Sequence, residues 1–274
     1  MKFVRYLHEG QTLTGLAIDG SIYPVQADLA EIIRGDKRVE PVQDSAEGVK
    51  ETEVRWLPCI PGGGKIICVG LNYKKHAEEA ELPVPATPIL FNKFENALAA
   101  HGEEVTLGTA AAEYDYEAEL GVVIGKRAKN VSKDEALGYV FGYCSINDLS
   151  ARDLQNRTSQ WMLGKIMDGF CPAGPYLVTA DEVGDPNGLQ ISLTRNGELK
   201  QNSNTRDMIF RVDEIIAYVS RYMTLEPGDI LLTGTPEGVV AGYPPEERDW
   251  LKPGDRTAVT IEKLGTLETV FKGE

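Results

Sequence analysis

The twelve residues Tyr-Asp-Tyr-Glu-Ala-Glu-Leu-Gly-Val-Val-Ile-Gly, positions 114 to 125, constrain this chain more than any other segment. Leu120, Val122 and Ile124 alternate with Gly121 and Val123 before the run stops at Gly125, which predicts a strand over 116–124. Side chains at i and i+2 of a strand share a face, so Glu117 and Glu119 project together, opposite Tyr116, Ala118 and Leu120. On a solvated face such a pair needs no explanation. Here long apolar stretches and glycines flank it, which points to a buried sheet. Buried carboxylates that close must share a proton or hold a cation. A hard divalent ion is the simplest answer, and Asp148, in Ser-Ile-Asn-Asp-Leu-Ser-Ala-Arg-Asp (145 to 153), can supply a third oxygen ligand.

The rest of the chain reads as many short strands punctuated by Gly, Pro and Asp turns. Residues 2–25 form a meander with an Asp19-Gly20 hairpin turn. A short helix follows over 29–34, with Asp28 as N-cap and Gly35 beyond its end, and a weaker polar helix over 45–53. Pro58, Pro61 and Gly62-Gly63-Gly64 mark a boundary, giving a small N-terminal α/β domain (1–60) and a large domain (61–274). The glycine run is a linker; GxxxxGK[ST] is absent and a strand follows it. Strands are expected at 65–69, 89–91, 116–124, 139–146, 174–178, 189–195, 229–232 and 256–262, with short helices at 73–80 and around 133–137. One longer amphipathic helix, 212–223, carries Ile215, Ile216, Val219 and Tyr222 on its apolar face. This pattern predicts an α+β, β-rich fold and excludes a doubly wound nucleotide-binding sheet.

With 28 Lys and Arg against 42 Asp and Glu, a net charge of −14, neither nucleic acid nor an anionic membrane is an expected partner. The four cysteines (59, 68, 144, 171) show no CxxC spacing and read as reduced, buried small hydrophobes. Three histidines (8, 76, 101) without HExxH argue against zinc hydrolysis. The charged N-terminus lacks a signal-peptide core, and no apolar run reaches membrane-spanning length. A soluble cytoplasmic protein is the expectation.

Several ordered blocks then carry a resemblance: Val69-Gly70-Leu71-Asn72-Tyr73 with His76 and Glu79; Tyr116 to Leu120; Asn147-Asp148 with Ser150 to Asp153; Gly164-Lys165 with Asp168; Gly234-Thr235-Pro236-Glu237-Gly238; and Leu251-Lys252-Pro253-Gly254-Asp255. Through them the chain resembles the fumarylacetoacetate hydrolase superfamily from about residue 65 to 271. The resemblance implies a β-roll-like catalytic domain, a homodimer, and Mg²⁺ or Mn²⁺ (Ca²⁺ as a further candidate) held by Glu117, Glu119 and Asp148. It also implies a small-molecule 2-oxo acid substrate and hydrolytic C–C cleavage, decarboxylation, isomerisation or hydration.

Within that frame, His76 and Glu79 lie three apart on a short helix, hence on one face, where the carboxylate can fix the imidazole tautomer and the other ring nitrogen can activate water. Lys165 can neutralise a substrate carboxylate or an oxyanion. Gln155 and Thr235 can hydrogen-bond substrate oxygens. Arg152 can pair with a substrate carboxylate or bridge to Asp153 or another structural acid. Ile166-Met167, after the lysine, departs from the small polar or aromatic pair that many relatives carry there, so the resemblance does not fix the shape of the substrate pocket at that point.

Overall fold

The computed structural model describes residues 1–39 and 48–274. The first strands form where alternation and turn chemistry agree. Lys2–His8, Gln11–Ile18 and Ser21–Val25 pair antiparallel, and Asp19 and Gly20 both adopt positive φ (48° and 77°), as a two-residue hairpin turn requires. Leu29–Arg34 is helical. Asp28 caps it by accepting from the Ala30 N–H, and Gly35 ends it in the left-handed region. The helix expected over 45–53 is not formed in its described part: Val49–Lys50 is a short strand and Glu51–Glu53 a single 3₁₀ turn; residues 45–47 lie outside the described residues.

One large sheet runs through the molecule in the order Val49–Lys50, Ser21–Val25, Gln11–Ile18, Lys2–His8, Cys171–Thr179, Val140–Asn147, Ala118–Ile124, Ile230–Leu232, Ile66–Gly70, Ile89–Lys93. Lys2–His8 pairs directly with Cys171–Thr179, so the N-terminal meander extends the same sheet. A second sheet orders Glu198–Asn204, Gln190–Arg195, Arg256–Ile261, Gly265–Gly273 and Glu104–Leu107. Among these strands, Glu104–Leu107, Glu198–Asn204 and Gly265–Gly273 were not expected from sequence.

The central strand Ala118–Ile124 is buried along its whole length because both its faces are covered. Tyr116, Ala118, Leu120, Val122 and Ile124 pack with Ile191, Val259, Leu267 and Phe271 of the second sheet and with the helix Val212–Tyr222. Val123, on the opposite face, packs with Cys144, Ile146, Cys171 and the helix residues Leu29, Ile32 and Ile33. Each such aliphatic side chain contributes ~1.5–3 kcal/mol of transfer free energy, which holds the strand in register. Register matters here because a one-residue slip would turn Glu119 into the apolar core.

The amphipathic helix buries Val212, Ile215, Ile216 and Val219. Tyr222 does not join them. It is 67% exposed, at the last turn, where its ring stacks edge-on against Tyr218. All four cysteines are buried and unpaired, as expected. No helix among the described residues is long and apolar enough to cross a membrane.

A carboxylate cluster beneath a His–Glu pair

Glu117, Glu119 and Asp148 converge, each offering a carboxylate oxygen within 4.8 Å of the others. The convergence is built by backbone clamps. Glu117 stands one residue before the strand begins. Its N–H donates to the Asn147 side chain (3.0 Å), and its carbonyl accepts from the Asp148 N–H (2.8 Å). Asn147 is in turn fixed by donating to Thr257 Oγ1 of the second sheet. Gln201, from one of the unforeseen strands, accepts from the Ala118 N–H and donates to Thr235 Oγ1 and the Pro236 carbonyl, tying the strand to the loop that follows Leu232. In that loop Gly234 has φ +92°, and a Cβ there would stand 2.7 Å from the Asn72 side chain. Only glycine lets its N–H reach Glu119 Oε2 at 2.8 Å.

Three buried cations surround the carboxylates. Lys165 Nζ donates to Glu117 Oε2 (2.7 Å) and Asp148 Oδ2 (3.0 Å). Arg152 spans Asp115 (2.9 Å) and Glu117 Oε1 (2.7 Å) and donates to Gln155 Oε1 (3.0 Å). Of the partners expected for Arg152, the structural acid is therefore the one found, but it is Asp115; Asp153 instead accepts from the Ala112 and Leu154 N–H groups. Lys93 Nζ lies 2.5 Å from Asp148 Oδ1 and donates to the carbonyls of Leu149 (3.0 Å) and Lys165 (2.6 Å).

These contacts set the ionisation of the site. Burial works against the Glu117 charge, but Lys165 and Arg152 outweigh it and hold the carboxyl down at about 2. Burial likewise disfavours the charged forms of Lys165 and Arg152, and their carboxylate partners overcome it, keeping both protonated. Glu119 goes the other way. Burial first, then the like charges of Asp148 and Glu117, push its carboxyl well above the ordinary range. Among the described residues no Lys or Arg nitrogen lies within ion-pair distance of Glu119. A divalent cation fits this donor set: three hard oxygen ligands, one of them lacking a counter-charge, and carboxylate oxygens with lone pairs left beside those used by Lys165 and Lys93.

Above the cluster, the helix Lys74–Glu79 places His76 Nδ1 3.1 Å from Glu79 Oε2. Glu79 Oε1 accepts from the Gly238 N–H (2.9 Å), and Gly242 leaves the space its carboxylate occupies. With Nδ1–H donated to the carboxylate, Nε2 keeps its lone pair.

A cavity of about 230 Å³ joins these parts. His76, Glu117, Glu119, Arg152, Gln155, Lys165 and Thr235 line it; Glu79 and Asp148 stand behind as partners of lining residues. Ile166 and Met167, where the resemblance left the pocket shape open, are not in its wall. Met167 packs onto the core and the Ile166 carbonyl accepts from Asn96. Trp161 and Phe91, stacked edge-on at 5.6 Å, form the wall there. Sequence reasoning missed Lys93 and Asp115. Asp115 accepts from the Tyr116, Val240 and Ala241 N–H groups as well as from Arg152, fastening the 239–242 loop over the site.

Fold and cluster together define a sheet-rich, carboxylate-centred enzyme class. The chain belongs to the fumarylacetoacetate hydrolase family: the family model described as "Fumarylacetoacetate (FAA) hydrolase C-terminal" matches residues 65–272. A 2,4-didehydro-3-deoxy-L-rhamnonate hydrolase from a Sphingomonas species is 44% identical over 97% of this chain and 94% of its own length. The mitochondrial oxaloacetate tautomerase FAHD2B of Bos taurus is 46% identical over 79% of this chain and 69% of its own. Among solved structures, fumarylacetoacetate hydrolase from Exiguobacterium antarcticum superposes with a TM-score of 0.90 at 35% identity, covering 100% of both chains. Maleylpyruvate hydrolase from a Sphingobium species, in complex with manganese(II) and pyruvate, gives 0.84 at 29% identity, covering 100% of this chain and 99% of that one.

Proposed function

We propose that this protein is a divalent-metal-dependent hydrolase that cleaves a C–C bond in acylpyruvates or related 2,4-dioxo acids and releases pyruvate. The observation that carries the reading is that His76, backed by Glu79, and Glu117 and Glu119, backed by Asp148, line one cavity, the first suited to activating water and the second to holding a cation. Glu117, Glu119 and Asp148 would hold Mg²⁺ or Mn²⁺, which supplies Lewis-acid polarisation of the bound 2-oxo carboxylate. The manganese and pyruvate in the maleylpyruvate hydrolase neighbour support both halves of the assignment.

His76, oriented by Glu79, takes a proton from water as its oxygen bonds to the distal carbonyl carbon. The bond from that carbon to the central methylene breaks, and its electron pair becomes the pyruvate enolate. Lys165, held as an ammonium, offsets the developing charge. Protonation of the methylene carbon completes the balance: one dioxo acid and one water give one carboxylic acid and pyruvate. Gln155 and Thr235 donate to substrate oxygens, and Arg152 keeps Gln155 and Glu117 in place.

The name of the oxaloacetate tautomerases among the relatives supports a second reading as far as the ligand goes: the same cavity takes oxaloacetate, and decarboxylation, which needs no attacking water, is the alternative chemistry we propose for it. A pyruvate-release assay over acylpyruvates and oxaloacetate, with Mg²⁺, Mn²⁺ and a chelator control, tests both. Acylpyruvate cleavage to acid plus pyruvate that stops with chelator is expected. Turnover unaffected by chelator, or CO₂ release from oxaloacetate alone, would overturn the hydrolase reading.

A further inference from the structure

We infer that Gln201 is a positioning residue for substrate binding: it fixes the Thr235 hydroxyl as a hydrogen-bond donor toward the cavity. This rests on the 2-oxo acid reading above and adds to it a residue that does not itself line the cavity.

Gln201 is 1% exposed although its strand, Glu198–Asn204, is nearly all polar, and its buried amide has a full set of partners. Oε1 accepts from the Ala118 N–H (2.9 Å), while Nε2 donates to the Pro236 carbonyl (2.9 Å) and to Thr235 Oγ1 (2.9 Å). The two backbone partners leave the amide one orientation, because an N–H only donates and a carbonyl only accepts. Turning it over would set N–H against N–H and oxygen against oxygen. The bond to Thr235 therefore has a fixed sense: Nε2 donates and Oγ1 accepts.

A free hydroxyl donates or accepts as its surroundings allow. With one lone pair of Oγ1 engaged by Nε2, its hydrogen must point elsewhere, and no protein group among the described residues accepts it. Thr235 lines the cavity, and the preceding residue, Gly234, gives its N–H to Glu119. The hydroxyl thus stands at the carboxylate floor, beside the pyruvate half of the substrate, whose carboxylate and 2-oxo oxygens can only accept. A donor already set meets them without reorganising. The loop cannot drift from the strand that orients it: Gly238 has φ +96°, and a Cβ there would stand 2.1 Å from the Lys200 carbonyl. Without the Gln201 amide, the Thr235 rotor is free to turn.

The test is a double-mutant cycle on the full chain, with pyruvate affinity of the Mn²⁺-loaded protein read by isothermal titration calorimetry. Thr235→Val, which keeps the shape and removes the hydroxyl, should weaken pyruvate binding ~10-fold, and Thr235→Ser, which keeps the hydroxyl, should lose no more than ~3-fold. Gln201→Met should weaken it ~5–10-fold, and in that background Thr235→Val should add no more than ~2-fold. Mn²⁺ affinity without pyruvate should stay within ~3-fold in Gln201→Met. If Gln201 were only a brace for the loop that holds Glu119, Mn²⁺ affinity would fall in step with pyruvate affinity. That result overturns the inference, as do losses that multiply in the double variant. Should Gln201→Met fail to fold, the natural side chain decides. A pyruvate oxygen accepting the Thr235 hydrogen polarises Oγ1, so the Gln201 side-chain amide protons of ¹⁵N-labelled protein should shift downfield on pyruvate addition, and not in Thr235→Val. Unmoved resonances overturn the inference. No pyruvate binding to the unmodified protein, with Mn²⁺ bound normally, would instead overturn the 2-oxo acid reading on which it stands.

Discussion

Lys93→Met removes one charge from a place where nothing else can replace it. The side chains of Lys93 and Asp148 are both 0% exposed, and the ammonium also satisfies the carbonyls of Leu149 and Lys165. Methionine keeps the unbranched stem, so packing is nearly conserved and the loss is electrostatic. Breaking a buried ion pair from one side costs ~3–5 kcal/mol, because the surviving charge stays buried without its partner. Lys165 remains 3.0 Å from Asp148 Oδ2, which places the expected cost at the lower end, about 3 kcal/mol. For a chain of this size that corresponds to a fall in Tm of roughly 6–12 °C. Lys65→Met is the control. Lys65 also lies 2.5 Å from a carboxylate, Asp229, but is 42% exposed, and Asp229 keeps the backbone N–H groups of Lys65 and Glu226. That change should cost about 1 kcal/mol or less. Thermal unfolding followed by circular dichroism, in chelator, reads both. A Lys93→Met Tm within ~2 °C of the unmodified protein, or equal shifts in the two variants, would refute the argument that burial sets the cost.

Four further outcomes follow from the site and its frame. Glu119→Gln should raise Tm in chelator, by removing a carboxylate crowded by Asp148 and Glu117, yet weaken Mn²⁺ binding in a calorimetric titration; unchanged affinity would remove Glu119 from the ligand set. His76→Ala should retain metal binding and lose acylpyruvate hydrolysis by ~10²–10⁴-fold, with oxaloacetate decarboxylation reduced less; equal losses would assign the pair to a shared step. The Asp255 carboxyl is held below its ordinary value: burial opposes this, but Asn196, the Lys252 N–H and Arg195 outweigh it. Its contribution is thus full above the unfolded value near ~4 and lost as pH falls through the folded one, so Asp255→Asn should flatten the acid limb of a Tm–pH curve, and an unchanged limb would disprove it. The family resemblance leads to the expectation of a homodimer; a light-scattering mass of one 30.0 kDa chain at all working concentrations would contradict that.

What the sequence made legible was local. The Asp19-Gly20 turn, the Asp28–Gly35 capping signals and the alternation of Leu120, Val122 and Ile124 each depend on residues within a few positions of one another, and each forms as expected. Glu198–Asn204 escaped because its residues are nearly all polar, with only Gln201 and Ser203 buried. Its signal was nonetheless present: Asn196-Gly197 directly follows an expected strand, and both residues take the positive φ of a hairpin turn (53° and 82°). Gly265–Gly273 was similarly readable, since Leu267, Thr269 and Phe271 alternate inward against Glu268 and Lys272.

The site divides along the same line, and the division has a physical cause. Glu117 and Glu119 are two apart, so strand geometry alone brings them together; His76 and Glu79 meet because a helical turn does the same for residues three apart. Lys93 carries no such mark. It ends an edge strand reading Ile-Leu-Phe-Asn-Lys, where a lysine is ordinarily solvated, and it is buried only because sheet assembly carries it to Asp148 and to the turn bearing Lys165. Asp115 is likewise unremarkable beside two glutamates until the 239–242 loop folds over it. Residues that act on substrate must share a cavity, and here short-range geometry assembles them in pairs. The residues that set their charge and position come from distant segments. A carboxylate cluster read from local spacing therefore implies buried cations elsewhere in the chain, in a number close to that of the acids, because burial of the unbalanced cluster would cost more than the fold can supply.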